Sequence, residues 1–295
     1  MKRSAFTLVE LLVVIVIIGL LAAILITAVG AAREAARRGQ CLTRQRDLAM
    51  AMITYATENN GLPGSLNQQG TTPIHSWAVA VFPMIGENKR YEVLMRNSSA
   101  NNEVTQAIAP LPALICPSDN PSENAQLNYI VNCGPAATIT GINGDNALPF
   151  ILFRDRRAAL TGINEKVKIE DIPSGASSTI LLTERRTEDT WQGVWHANWT
   201  PSNFAPDELQ LPNSTTFTRS GNAVANLGFV WARNSNFLPN SSANEPRPSS
   251  KHPGTIIAAY ADGSARPIND DISTEEWLKA VCPDYEELVR GTSNN

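Results

Sequence analysis

No proline occurs before Pro63, and no charged side chain lies between Glu10 and Arg33. The first absence spares the N-terminal fifth of the chain the usual helix breaker. The second leaves an apolar stretch without parallel in the rest of the sequence. Histidine is scarce: His75, His196 and His252 are the only three, and no two share ligand spacing. None of the four cysteines, Cys41, Cys116, Cys133 and Cys282, belongs to a C-x-x-C pair. A zinc knuckle or thioredoxin-type centre is therefore not expected, and no metal or cofactor is assigned. There is no G-x-S-x-G, no P-loop and no G-x-G-x-x-G, so no catalytic constellation points to an enzyme. Charge of one sign is also lacking. The 24 Lys plus Arg against 28 Asp plus Glu give −4, which argues against nucleic-acid binding through bulk charge.

What is present is unevenly distributed. Residues 1–59 carry 7 basic and 4 acidic side chains, net +3, and residues 60–295 carry 17 and 24, net −7. Hydrophobic residues make up 43% of the 295, enough for a core and too many for a wholly disordered chain.

Residues 11–29 contain no charge, and Thr27 is their only polar side chain. A bilayer core of roughly 30 Å needs about 20 helical residues at about 1.5 Å each, so this run can span. It is too long for the apolar core of a secretory signal peptide. It also runs without a breaker into Ala31-Ala32-Arg33-Glu34-Ala35-Ala36-Arg37-Arg38, a strongly helix-forming sequence. One helix is expected over residues 6–59. In its second half Cys41, Leu42, Leu48, Ala49, Met52, Ile53 and Ala56 recur at spacings of three, four and seven, giving one apolar face for packing on a globular domain. Asn59-Asn60-Gly61-Leu62-Pro63-Gly64 ends it. Glu10 stands at the membrane edge between Val9 and Leu11, where a carboxylate is costly and functional by default.

Lys2-Arg3-Ser4-Ala5-Phe6-Thr7-Leu8-Val9-Glu10-Leu11-Leu12 closely resembles the N-terminus of type IV prepilins and pseudopilins. A short basic leader, a cut before Phe, Glu as the fifth mature residue and the apolar helix all fall in register. The resemblance implies cleavage between Ala5 and Phe6 by a prepilin peptidase, followed by N-methylation of Phe6. It implies that Glu10 pairs with the terminal amine of a neighbouring pseudopilin subunit. Two departures stand out. Ala5 replaces the usual Gly before the cut, though it is small enough for processing. The proline that kinks many pilin helices is missing, leaving Gly19, Gly30 and Gly39 as the weak points.

Charge counting alone gives the wrong orientation for such a protein. Lys2 and Arg3 favour a cytoplasmic N-terminus, yet Arg33, Arg37, Arg38, Arg44 and Arg46 follow the span and oppose it. The leader must meet a cytoplasm-facing protease. The resemblance therefore implies a single-pass inner-membrane protein with the N-terminus in the cytoplasm and the head outside it.

Beyond Pro63, short apolar runs alternate with Gly, Pro, Asn and Ser clusters, and the chain holds 26 Asn, which suits turns. Strands are expected at 113–116, 129–133, 150–153, 178–183, 194–199, 228–232, 255–261 and 265–268. Residues 77–84 read as a short helix or strand. Residues 200–225 and 233–251 read as long loops. Ser273-Thr274-Glu275-Glu276 is a capping box opening a late helix. The expected fold is α+β, a long helix packed on a turn-rich, mainly antiparallel head, pilin-like by resemblance. The expected parts are a leader at 1–5, a membrane helix at 6–30, an amphipathic stem at 31–60 and an exported head at 61–295.

Residues 251–264, with His252 and Asp262-Gly263, are similar to the His-x9-Asp-Gly signature of a large bacterial prepilin-like family of unknown function, sometimes labelled solute-binding. Ile115-Cys116-Pro117-Ser118-Asp119 and Asn128-Tyr129 are similar to that family's inner motifs. Asp-Gly after a β run is itself a hairpin signal. A nine-residue strand would separate His252 from Asp262 by roughly 30 Å, so they are assigned separate roles, with Asp262 shaping its own turn.

Four cysteines in an oxidising compartment permit three pairings. Cys116 with Cys133 is the pair favoured here, because they flank adjacent expected strands. Cys41 could join Cys282 or be simply buried. Trp191, Trp195 and Trp199 share a face if extended and are assigned to the core. Glu184 and Asp189 near Arg185-Arg186 read as a solvated ion cluster. The expected function is a membrane-anchored pseudopilin-like subunit of a type II secretion or type IV pilus-like assembly. The alternative is a membrane-tethered module whose head binds a solute or glycan ligand.

Overall fold

A computed structural model of the chain describes residues 8–68, 75–96, 111–119, 127–135, 156–157, 166–186, 228–231, 238–240, 248–286 and 289. The helix α1 runs unbroken over Leu8–Asn59, 52 residues. At about 1.5 Å per residue that is roughly 78 Å. Gly19, Gly30 and Gly39 all lie within it and do not break it. It ends where the sequence turns to Asn60 and Gly61, which take φ of 57° and 139°. The Gly61 N–H donates back to the Ala56 carbonyl at 2.8 Å, closing the last turn with left-handed residues. A side chain at Gly61 would meet Lys166 Cβ at 2.6 Å, so glycine is needed here for space as well as for φ.

The two halves of α1 live in different surroundings. Every large apolar side chain from Leu8 to Val29 is exposed, between 44% and 78%. Among the described residues this segment buries nothing against the head, and it is apolar enough to cross a membrane. Further on, Cys41, Gln45, Leu48, Ala49, Met52 and Ala56 are buried. Their spacing follows one helical face, as the apolar pattern predicted, with Gln45 as an unforeseen polar member.

That face lies on a five-stranded sheet. Its strands are β3 (Tyr129–Pro135), β5 (Ile180–Glu184), β6 (Gly228–Trp231), β7 (Thr255–Tyr260) and β8 (Ala265–Asn269), in the order β6-β3-β5-β7-β8. All pairings are antiparallel except β3 with β6. A smaller sheet joins β1 (Leu66–Gln68) to β2 (His75–Ser76) and β4 (Arg156–Arg157). Short helices α2 (Trp77–Ala80) and α3 (Asn88–Arg96) follow β2.

Strand β7 is buried on both faces, which is why it reads as a continuous apolar run. Ala259 and the following Ala261 pack in one core with Leu48, Ala49 and Met52 of α1. Ile256, Ala258 and Tyr260 pack in a second core with Trp277, Leu278 and Val281. Those last three belong to α4 (Thr274–Val281). The order is thus helix, sheet, helix. Fully burying a Leu or Met side chain such as Leu48 or Met52 contributes about 1.5–3 kcal/mol. The capping box is present: Ser273 accepts from the Glu276 N–H, and the Glu276 side chain accepts from the Ser273 N–H.

The α+β architecture matches expectation, with one clear exception among the strands. Residues 113–116 do not form a strand; a 3-10 turn occupies Pro112–Leu114 instead. Pro112 fixes φ and has no N–H to give a ladder, which favours a helical start over pairing. Residues 77–84 are helical rather than extended, opened by Ser76, whose hydroxyl accepts from the Val79 N–H. The expected strands at 150–153 and 194–199 lie outside the described residues, as do residues 200–225.

Candidate functional site

Four chemically capable side chains converge where α1 meets the sheet. Cys41 comes from the buried face of α1. Cys116 follows the 3-10 turn, its backbone N–H donating to Asn128 Oδ1 at 2.9 Å. Glu184 is the last residue of β5, in register with Tyr129. His252 sits in the turn before β7, where its backbone N–H donates to Ser250 Oγ at 3.1 Å. The ligand-type atoms of these four residues all lie within 4.8 Å of one another. Each residue is at most 4% exposed.

The surrounding hydrogen bonds fix the cluster in place. Asn128 Nδ2 donates to Asp119 Oδ2 at 2.7 Å and to the Arg185 carbonyl at 3.2 Å, tying the Cys116 segment to the end of β5. Glu184 Oε2 accepts from the Ile257 N–H at 3.1 Å. Its Oε1 is buried, accepts no hydrogen bond among the described residues and faces His252 Nε2 at 3.4 Å. Cys116 Sγ lies 3.5 Å from the same Nε2. On the other side of the ring, His252 Nδ1 stands 2.5 Å from Glu34 Oε1, and Ser118 Oγ donates to the Glu34 carboxylate at 3.1 Å.

The electrostatics follow from this packing. Burial works against a charged His252. Its contacts with Cys116 and Glu184, the Glu184 charge and the Glu34 hydrogen bond outweigh it, and the imidazole is pushed up to about 10. The hydrogen bond from Cys41 lowers Cys116, burial opposes, and the bond to His252 lowers it further, leaving the thiol at about 6. Cys41 is pushed up by the same hydrogen bond, by burial and by the Glu184 charge. Burial raises Glu34, but its hydrogen bonds to His252 and Ser118 bring the net direction down. The arrangement gathers two sulfurs, a carboxylate and one imidazole in a buried cluster. Such a donor set suits a cation of borderline softness.

These positions depart from several expectations. No disulfide joins Cys116 to Cys133. Cys116 packs with Cys41 and Ile257, whereas Cys133 on β3 belongs to the main core. Flanking expected strands did not bring the two sulfurs together, because 113–116 is not a strand. Cys41 and Cys282 are not bridged either, and Cys282 is buried beside α4. Glu184 and Arg185 are 1% and 2% exposed, so they are no solvated ion cluster. Asp189, His196, Trp191, Trp195 and Trp199 lie outside the described residues. His75 is buried edge-on to Tyr91.

Asp262 stands at the far end of β7 from His252. It accepts from the Ser264 N–H at 2.8 Å and the Ser264 hydroxyl at 2.6 Å, around Gly263 at φ 81°. Glu10 is exposed on α1, and Ala5 and Phe6 precede the described residues. Spacing arguments missed the cluster because its members come from four separate elements. The faint signal was four residues of ligand chemistry: one on the buried helix face, one after the Pro112 turn and two beside strand ends.

A family model described as a protein of unknown function (DUF1559) matches residues 30–275. The chain belongs to this family. The match includes Glu34 and all four cluster residues. A second model, the prokaryotic N-terminal methylation motif, matches residues 1–26 and so covers most of the exposed apolar part of α1. Together they make this DUF1559 member a prepilin-like protein with an N-terminal membrane anchor. No curated protein and no solved structure matches the chain.

Proposed function

We infer that the protein is a non-enzymatic, pseudopilin-like structural subunit of a type II secretion or type IV pilus-like assembly. The observation that carries this reading is the methylation motif at residues 1–26 continuing directly into an exposed, unbroken apolar helix. A helix that buries nothing in its own head over some 20 residues needs lipid or neighbouring helices around it. In this reading a prepilin peptidase cuts between Ala5 and Phe6 and Phe6 is N-methylated. The N-terminus starts in the cytoplasm, and the head lies on the far side of the inner membrane. The first head contacts, at Glu34, stand about 39 Å along the unkinked helix from Leu8, and the rest of the helix lies against the head.

Glu10 has the assembly role in this account. Its carboxylate takes the Phe6 amine of the adjacent subunit as it leaves lipid for the filament core. Glu10→Ala should leave insertion intact and block co-assembly. Membrane fractionation and subunit crosslinking check this. Normal crosslinking of the variant into an assembly would reject the role.

A further inference from the structure

We propose that Cys41, Cys116, Glu184 and His252 form a closed tetrahedral site for one divalent ion of the zinc class, clamping the membrane-anchored helix to the sheet. Zinc takes thiolate at about 2.3 Å and imidazole or carboxylate at about 2.0–2.2 Å, so tetrahedral edges run near 3.5 Å for S to N and near 3.4 Å for N to O. The observed edges are 3.5 Å from Cys116 Sγ to His252 Nε2 and 3.4 Å from His252 Nε2 to Glu184 Oε1. All four donors fall within 4.8 Å of one another.

Three further features fit an ion better than a merely packed core. Glu184 has one oxygen anchored by the Ile257 N–H, while the other is buried, accepts no hydrogen bond among the described residues and faces the cluster 3.4 Å from His252 Nε2. Glu34 holds His252 at Nδ1, so the ring turns Nε2 toward the cluster, where an ion would take the place of the Nε2 proton. A carboxylate behind a histidine in this way is the usual support of a metal-bound imidazole. Ser118 in turn orients Glu34. Finally, two thiolates and a carboxylate around a divalent ion leave one negative charge. Arg44 and Arg38 lie close by: they donate to the carbonyls of Ile115 and Pro253, neighbours of Cys116 and His252.

Two sulfurs select against calcium and magnesium, and four protein donors leave no open position for a substrate. The ion is therefore structural. Its binding releases thiol protons to solvent and changes no oxidation state. The ligands come from α1, the 115–119 segment, β5 and the turn before β7, so one ion fastens the stem to three parts of the head.

The test uses the full chain, purified in detergent under reducing conditions, stripped with chelator and reloaded with zinc or cobalt(II). One ion per chain is expected, with a thiolate-to-cobalt charge-transfer band and intense visible absorption of tetrahedral cobalt. Cys116→Ser and His252→Gln should abolish both. Cys133→Ser, outside the site, should keep them. Glu34→Gln retains all four donors and should weaken affinity by about 10- to 100-fold. No ion retained by the reloaded wild type, a cobalt spectrum without thiolate bands, or equal loss in Cys133→Ser would overturn the site. So would a Cys41–Cys116 disulfide in the chain isolated from its own membrane, because it consumes both sulfurs.

Discussion

Glu34 and His252 are 218 residues apart in the chain and 2.5 Å apart at Oε1 and Nδ1. The contact joins the first turns of α1 beyond the membrane run to the turn that leads into β7. It fixes where along the helix the head sits. Glu34→Ala leaves the Nδ1 side of a buried ring with only the longer Ser118 Oγ contact at 3.4 Å and should cost roughly 1–3 kcal/mol. Thermal unfolding of the detergent-solubilised chain measures it. Arg37→Ala is the comparison: Arg37 reaches Glu34 at 3.7 Å with half its side chain exposed, and its loss should cost less than about 1 kcal/mol.

Gly263 closes the β7–β8 turn at φ 81°, and a Cβ there would lie 2.5 Å from Met50 Sδ and 3.3 Å from Ile53 Cδ1. Methionine can swing away, so the backbone dominates. Gly263→Ala should destabilise by about 1–2 kcal/mol, and Gly263→Asn by less, since Asn enters the left-handed region more readily. Equal melting of Gly263→Ala and wild type would show that the turn relaxes without cost.

Asn132 ties β3 to the far layer. Buried on the strand, it donates to the carbonyls of Ile180 at 3.0 Å and Val281 at 2.7 Å, and accepts from the Gly134 N–H. Asn132→Ala leaves the last carbonyl of α4 buried and without that donor, a loss of about 2 kcal/mol or more. Hydrogen exchange should quicken first in α4. Uniform quickening across the sheet would place the cost elsewhere.

Much of the fold was legible because its cause is local. The missing prolines and the charge-free run define α1 as one helix, and the Asn60-Gly61 stop sets its end at Asn59. The 255–261 run and Asp262-Gly263 define the β7–β8 hairpin, and Ser273 with Glu276 defines the start of α4. Where local logic misled, tertiary packing had decided. Residues 113–116 are apolar enough for a strand, but Pro112 turns the chain there. Glu184 sits among charges in the sequence and reads as solvated, yet β5 carries it into the core to meet the Ile257 N–H. The cluster itself was illegible because no two ligands are neighbours in sequence. Only the docking of α1 on the sheet brings Cys41 to Cys116 and Glu34 to His252.

The central claim is that the N-terminal segment is a prepilin leader and anchor. Mass spectrometry of the N-terminal peptide, from protein isolated from its native membrane, tests it most directly. The account predicts a first residue of N-methylated Phe6, with Lys2 and Arg3 removed and the formal charge shifted from −4 to −6. An intact Met1 start, or a cut beyond Ala22 within the apolar run, would contradict it.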